Sequence, residues 1–146
     1  MITDKRKLKN YFEKARGGLS NTCFLFDSDY VISDSYSIIC LKDSNDLHVI
    51  KDDSDSSLYN RVKEFRQQFK FESKVLKEYI PDFNKEYDKI DDDFGIWNKK
   101  VKPIKNLIKA NKFYICTLKN YYLKYIIKIE NEKTQEVAYL LPCREV

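Results

Sequence analysis

The sequence lacks most of the residue patterns on which catalysis and metal binding depend. Of its 146 residues one is histidine, three are glycine, and the four cysteines form no CxxC pair. Phosphate-binding loops of the types GxxxxGKS/T and GxGxxG are missing, as are the hydrolase motifs HExxH and GxSxG. His48 lies between Leu47 and Val49 with no obvious nucleophile beside it. We therefore predict a non-enzymatic protein without a metal site or a cofactor.

Long apolar stretches are also missing. No apolar run approaches the roughly 20 residues that a membrane-spanning helix requires, and the basic start, MITDKRKLKN, is not followed by the apolar stretch of a secretory signal. Unpaired cysteines within or beside apolar strand-like segments are typical of buried free thiols in a reducing compartment. The four are Cys23, Cys40, Cys116 and Cys143. We therefore expect a cytoplasmic protein with no membrane partner.

The composition is that of a globular protein whose charge is unevenly distributed. Hydrophobic residues make up 42% of the chain and charged residues 34%, enough for a packed core and a polar surface. The net charge of +4 is modest, but Asp52 to Asp93 is acidic and the positive charge lies in the two flanks. Abundant Lys, Ile, Asn, Asp and Tyr with little Ala, Gly or Pro indicates an AT-rich genome, such as that of a low-GC bacterium or its phage.

Two predicted helices are basic on their exposed sides. Apolar residues at helical spacing predict one helix from Lys5 to Arg16 and another from about Lys99 to Lys112. At about 100° per residue, four lysines of the second helix lie in one arc beside its apolar stripe, and no acid interrupts them. These helices are predicted to contact the phosphates of duplex DNA, without reading its sequence, through Lys5, Lys9, Arg16, Lys102, Lys105, Lys109 and Lys112. The alternative is that the lysines only solvate two amphipathic helices.

The hydrophobic spacing predicts an α+β fold in one domain, residues 1–146. Residues 1–50 and 94–146 are predicted to form two units, each a helix plus an antiparallel sheet. The predicted strands are Cys23–Phe26, Tyr30–Ile32, Tyr36–Leu41, Leu47–Ile50, Phe94–Trp97, Phe113–Leu118, Leu123–Glu130 and Val137–Leu141. Residues 51–93 are predicted to be an acidic helical insertion, with a long amphipathic helix from Leu58 to about Ile80 and an interruption near Phe71 as the alternative.

The second unit resembles the C-terminal part of a DNA sliding clamp, the processivity factor that encircles duplex DNA. The segment Phe94–Trp97 and the apolar residues of the helix after it are similar to a strand and the second helix of a bacterial clamp domain. The stretch FYICTLKNYYLKYIIKIE is similar to the hairpin that follows, and AYLLPCR resembles the terminal apolar-Met-Pro-Met-Arg pattern, with Leu141 and Cys143 in place of the methionines. The helix from Lys5 and the CFLFDSDYVISDSYSIICL hairpins are similar to the start of the same domain.

The resemblance implies a DNA replication accessory protein that tethers DNA polymerase or other replication proteins to duplex DNA. In clamps the helices line the DNA hole, the sheets form the outside, and the terminal apolar residues line a pocket for partner peptides. The resemblance assigns that peptide site here to Tyr139, Leu141, Pro142 and Cys143. A chain with one such domain would have to form a homo-oligomer through its sheet edges to surround DNA. The alternative for these four residues is an ordinary edge strand and tail.

Other functions remain open at this point. A small inhibitor or regulator of a host protein could use the acidic segment as a nucleic-acid mimic, and a metal-dependent nuclease could use Asp91, Asp92 and Asp93. The aspartates of 52–55 and 91–93 could hold a divalent cation, although solvated loops are the alternative because calcium-loop spacing is missing. The tyrosine cluster could stack on bases or belong to the sheet and the core. Its members are Tyr121, Tyr122 and Tyr125.

Overall fold

A computed structural model describes residues 22–26, 29–33, 36–42, 57–120 and 124–144. Several predictions fall on residues outside these ranges: the basic helix from Lys5 to Arg16, the strand Leu47–Ile50 with His48, the aspartates of 52–55, and the pair Tyr121 and Tyr122. In the described part of the chain, neither helix is long and apolar enough to cross a membrane.

The described residues form two antiparallel sheets and two helices. The seven-stranded sheet has the order β1-β2-β3-β9-β8-β7-β4, and the three-stranded sheet has the order β10-β6-β5. The strands are β1 (Thr22–Phe26), β2 (Asp29–Ser33), β3 (Ser37–Leu41), β4 (Ser73–Glu78), β5 (Tyr87–Lys89), β6 (Phe94–Trp97), β7 (Lys112–Leu118), β8 (Ile126–Asn131), β9 (Glu136–Leu140) and β10 (Cys143–Arg144). The helices are α1 (Ser57–Glu72) and α2 (Asn98–Ile108). The predicted α+β class with antiparallel sheets is confirmed.

The division of the strands between the two predicted units is wrong. Strand β3 pairs with β9, with Ser37 opposite Leu140 and Ile39 opposite Ala138, so the strands of the first unit continue the sheet of the second. Strands β5 and β6, which precede α2, and β10, the last strand, form the second sheet instead. The pairing of β3 with β9 gives hydrogen-bond partners to the backbone N–H and C=O groups along these two strand edges. The sequence pattern of each segment does not reveal which strand will supply those partners.

The predicted helix from Leu58 to about Ile80 is present only up to Glu72, close to the alternative interruption near Phe71, and the prediction is wrong beyond that residue. Helix α1 ends at Glu72, and the next six residues form β4, which pairs with β7 and has a register shift between Val75 and Lys77. Most of β4 is exposed to solvent, so burial of an apolar face does not explain it. Strand β4 supplies hydrogen-bond partners to the backbone groups at the edge of β7. Those groups belong to residues about 40 positions further along the chain, so the local pattern of β4 does not indicate the pairing.

The large sheet is covered on both faces. On one face, Val62, Phe65 and Phe69 of α1 pack against residues that include Cys116 and Tyr139. On the other face, Val101, Ile104, Leu107 and Ile108 of α2 form a core with the small sheet and with the alternate residues of the large one. Those alternate residues are Ile39, Leu41, Phe113, Ile115, Ile127, Ile129, Ala138 and Leu140. Period-two alternation in β3, β7, β8 and β9 therefore supplies both faces at once.

Three of the four cysteines, Cys40, Cys116 and Cys143, carry free thiols. Cys40 and Cys116 are buried and Cys143 is half-buried, in agreement with the prediction of unpaired, shielded thiols. Burial raises the pKa of the Cys116 thiol to about 11. A thiol with so high a pKa is a poor nucleophile at neutral pH.

Candidate nucleic-acid interface

Helix α2 presents its lysines to solvent because its apolar residues hold the opposite side against the sheets. Lys99, Lys100 and Lys102 are exposed and Lys105 is half-buried, and the C-cap residue Lys109, which we group with the lysines of α2, is also exposed. At about 100° per residue, positions 102, 105 and 109 lie within about 60° of one another around the helix axis. The apolar spacing of the helix thus orients a set of cations to one side, as the sequence predicts.

The lysines of α2 have no carboxylate partner in the described part of the chain. Within the described residues, none of the five makes an ion pair. By contrast, four other described lysines lie within 4.0 Å of acids: Lys89 near Asp92, Lys112 near Glu78 and Glu132, Lys124 near Asp91, and Lys128 near Glu130. No acid among the described residues therefore neutralises the positive charge of α2, which is available there to an anion.

Two of these lysines lie over aromatic rings. The Lys100 Nζ is 3.5 Å from the centroid of the Tyr36 ring, and the Lys105 Nζ is 5.0 Å from that of Phe83. A cation over a ring face is attracted by the ring quadrupole without losing its charge. The rings restrict the two side chains while leaving their ammonium groups able to meet a phosphate.

A cavity of about 480 Å³ lies beside the end of α2. Among the described residues it is lined by Lys105, Asn106, Lys109 and Ala110. Lys109 adopts a left-handed conformation, with φ 51° and ψ 51°, and the Ala110 N–H donates to the Lys105 carbonyl at 3.0 Å. This helix ending places two lysines and one side-chain amide, all donors, around one cavity.

A buried asparagine fixes the start of α2 relative to the loop before it. The Asn98 Nδ2 donates to the carbonyls of Asp82 and Lys85 at 2.9 and 3.1 Å and to Asp88 Oδ2 at 3.1 Å. The Asn98 N–H donates to the Glu86 carbonyl at 3.1 Å. These bonds determine the direction in which α2 leaves the small sheet, and hence where its lysines lie.

The assignment of Lys112 to the lysine helix is wrong. Helix α2 ends at Ile108, and Lys112 is the first residue of β7. Its Nζ lies 3.1 Å from Glu78 Oε1 and 4.0 Å from Glu132 Oε1, and the hydrogen bond and charge of Glu78 raise the pKa of Lys112. Lys112 is therefore neutralised by acids, unlike the lysines of the helix. Lys5, Lys9 and Arg16, the other predicted DNA contacts, lie outside the described residues.

The structure does not gather the four predicted peptide-binding residues into one pocket. The Tyr139 ring packs under α1, with centroids 5.3 Å from Phe65 and 4.7 Å from Phe69, so its face of the sheet is already covered. Leu141 is partly buried against the same cluster and Pro142 is half-buried. The Cys143 Sγ donates to the Gly95 carbonyl at 3.3 Å on the small sheet. Of the four residues, Cys143 pairs with Gly95 in the small sheet, and Pro142 directly precedes it.

The acidic loop before β6 is held by internal hydrogen bonds. Asp91 accepts bonds from the backbone N–H groups of Asp93 and Phe94 at 2.8 Å, from the Tyr125 hydroxyl at 2.7 Å and from the Lys124 Nζ at 3.1 Å. The described residues include no group of three or more His, Cys, Asp or Glu side chains arranged to hold a metal. Tyr125 is buried, with its ring 5.6 Å from that of Phe94, so it belongs to the core.

Sequence reasoning missed the partners that shape this surface. Tyr36 was assigned only to a strand, and Phe83 and Asn98 only to segments flanking the helix, yet all three position α2 or its lysines. Asn98 directly precedes the lysine run, where helix-starting residues are common, which is a signal that could have been used. The contacts of Tyr36 and Phe83 join distant parts of the chain and leave no local pattern.

Comparison with protein-family models, with curated proteins and with solved structures found no match.

Proposed function

We propose that this protein binds duplex DNA without sequence preference through the lysines of α2. The observation that carries the proposal is that five lysines close together in sequence, with no acid among them, make no ion pair within the described residues, whereas Lys112, Lys124 and Lys128 do; the five are Lys99, Lys100, Lys102, Lys105 and Lys109. Unneutralised ammonium groups along one short helix suit the phosphates of a nucleic-acid backbone, which carry charge at regular intervals.

The chemistry of the surface favours positioning on the backbone over base reading. Lysine ammonium groups are compact point charges without the planar fork with which arginine reads guanine. Helix α2 is about 16 Å long, at 1.5 Å per residue, and so spans four to five base-pair steps of about 3.4 Å. It can reach a few successive phosphates, with the cavity beside Lys105 and Lys109 at one end.

We further propose the role of a replication accessory protein that tethers partner proteins, as the clamp resemblance implies. Encirclement would require several copies arranged with their α2 surfaces inward. The bulge in β4 and its residues Lys74 and Lys77 are features that protect a sheet edge from pairing, so assembly would use another edge. Light scattering behind gel filtration tests this part: a closed number of copies supports a ring, and a strict monomer contradicts encirclement while leaving DNA binding open.

A charge-matched pair of triple variants tests DNA binding. We expect Lys102→Gln, Lys105→Gln and Lys109→Gln together to weaken binding to a labelled duplex and to lower the slope of log K against log salt by about 2.7, at about 0.9 for each phosphate contact. The control replaces three exposed lysines on other elements, Lys63, Lys74 and Lys119, with Gln. It removes the same charge and should retain the slope.

The readout is fluorescence anisotropy of two unrelated duplex sequences over a range of salt. Equal loss in both triple variants would show that net charge, and not the α2 surface, attracts the DNA. Failure of the unaltered protein to bind either duplex at low salt would contradict the proposal. Thermal unfolding of each variant shows whether it is folded.

A further inference from the structure

The outer face of the small sheet carries aromatic side chains. Strand β6 directs Phe94 and Ile96 into the core, so Gly95 and Trp97 face the other way. Tyr87 of β5 pairs with Trp97 across the sheet. The Tyr87 ring lies directly over Gly95, where any added Cβ would collide with it. Two aromatic side chains therefore occupy one face, and the glycine makes room for the first of them.

A third ring and a cation adjoin this face. Lys100 lies one helical turn after Trp97, and its Nζ is 3.5 Å from the centroid of the Tyr36 ring. Tyr36 lies close to the small sheet. The Leu141 N–H donates to the Tyr36 carbonyl at 3.0 Å, and Cys143, two residues after Leu141, pairs with Gly95 of that sheet. We call the group Tyr36, Tyr87, Trp97 and Lys100 the aromatic patch.

Two of the three rings in the patch are open to solvent, whereas Tyr87 is half-buried with its hydroxyl buried. Tyr36 is 49% exposed and Trp97 40%, whereas Phe94, Phe113 and Tyr125 are buried in the core. Phe71 is also exposed beside a cation, but it is a single ring on α1, whereas the aromatic patch groups its rings and Lys100 at one sheet. Aromatic rings on the outer face of a sheet, with cations alongside, are a surface on which unpaired bases stack.

We propose that the aromatic patch binds unpaired nucleobases, so that the protein prefers duplex DNA that continues into a single strand. The patch lies at the start of α2 and the Lys105–Lys109 cavity lies at its end. Lys100 and Lys109 are separated by about 14 Å along the helix, at 1.5 Å per residue. The lysines would hold the duplex backbone while the strand beyond the junction reaches the rings. The inference rests on the proposed function, because it takes the ligand to be DNA.

Trp97 supplies a reporter within the patch, since the chain contains a single tryptophan. The experiment titrates the full chain with a blunt duplex, with the same duplex carrying a six-thymidine overhang, and with free oligothymidine. Anisotropy of a dye on the DNA reports all binding, and tryptophan emission reports the patch. We expect about tenfold tighter binding of the overhang duplex than of the blunt one, from the stacking of one or two bases, and quenching of Trp97 emission by the overhang duplex and by oligothymidine but not by the blunt duplex.

Variants separate stacking from folding defects. Tyr36→Leu retains the reporter and should reduce the preference for the overhang several-fold, measured as the ratio of overhang to blunt-duplex affinity because Tyr36 also contacts Lys100. Trp97→Phe keeps a ring, whereas Trp97→Leu removes it, so the preference should fall further in the second. The matched control is Phe71→Leu, which removes a ring that is 78% exposed on α1, on the opposite side of the large sheet. That change should have no effect.

The outcomes distinguish the two proposals. Equal affinity for both duplexes, with unchanged Trp97 emission and normal loss of binding in the lysine variants, would overturn the inference and leave the proposed function standing. No binding to any of the three DNAs would overturn both. A change in Trp97 emission with a short apolar peptide, and none with the overhang, would identify the patch as a protein-docking face and overturn the inference.

Discussion

The Tyr125 hydroxyl donates a 2.7 Å hydrogen bond to Oδ2 of Asp91, joining the start of β8 to the loop before β6. The Lys124 Nζ lies 3.1 Å from the same oxygen. The Tyr125 hydrogen bond, followed by those from the backbone N–H groups of Asp93 and Phe94 and from Lys124, holds the pKa of Asp91 well below its usual range. This carboxylate connects the small sheet to the large one in its ionised form.

Tyr125→Phe should therefore destabilise the protein in a pH-dependent way. The pKa of Asp91 is lower in the folded chain than the value of about 3.9 in an unfolded one, so its contribution is present above that value and is lost as the pH falls through the folded pKa. We expect a lower melting temperature than that of the unaltered protein at pH 7, with a difference that shrinks below about pH 4. Thermal unfolding over a pH series measures this, and a difference independent of pH would contradict it.

Tyr79→Phe should have the opposite outcome. The Tyr79 ring packs edge-on against Phe113, and burial, with the charge of Asp88, strongly raises the pKa of its hydroxyl. Among the described residues this buried hydroxyl has no hydrogen-bond partner. Removing the hydroxyl breaks no hydrogen bond to these residues and removes the cost of burying a polar group without a partner. We therefore expect the free energy of unfolding to stay unchanged or to rise by roughly 1 kcal/mol. Urea denaturation tests this, and a loss above about 1 kcal/mol would reveal a partner that the hydroxyl needs.

Lys109→Gly should make the protein more stable and weaken its binding to DNA. Lys109 has the left-handed conformation that costs a side-chain-bearing residue about 1 kcal/mol and glycine almost nothing. We expect a gain of about that size in the free energy of unfolding, with weaker DNA binding because a cation leaves the cavity. Lys109→Asn is the companion variant, since asparagine tolerates this conformation and also lacks the charge. A gain in stability without any loss of DNA affinity would exclude Lys109 from the interface.

Pro103→Ala should stabilise helix α2. Pro103 lies in the interior of the helix, where its missing N–H leaves the Lys99 carbonyl without the usual donor. Alanine is about 3 kcal/mol more favourable than proline in a helix interior, and the more flexible unfolded chain offsets this by up to about 1 kcal/mol. We expect a net gain of about 2 kcal/mol in urea denaturation. Asn106→Ala, an exposed change in the same helix, should gain at most about 0.7 kcal/mol, and equal gains would refute the proline argument.

The sequence predicts best the elements whose burial follows a simple period. Val101, Ile104, Leu107 and Ile108 are all buried, as their helical spacing indicates, and the predicted strand near 126–130 is present as β8. The prediction failed where two periods overlap. Leu76 fits a helical repeat, but it lies in β4, because the edge of β7 offers backbone partners that a helix at this position would leave unused.

The candidate site was predictable in part for the same reason. The lysines of α2 were identified from local spacing, and those within the helix are solvent-facing. Lys112 was grouped with them because 3.6-residue spacing continues past the helix end, whereas the chain turns at Lys109 and brings Lys112 to Glu78 and Glu132. Tyr139 was assigned to a peptide pocket, but α1 covers it, and α1 precedes it by more than 60 residues.

Local order along the chain therefore accounts for the amphipathic helix, the alternating strands and the lack of catalytic motifs, since each depends on residues a few positions apart. The pairing of β3 with β9, the conversion of 73–78 into a strand, and the difference between paired and unpaired lysines arise in the folded protein. Each of these depends on contacts between residues tens of positions apart, formed because buried backbone groups need hydrogen-bond partners and because carboxylates neutralise only the cations that folding brings to them.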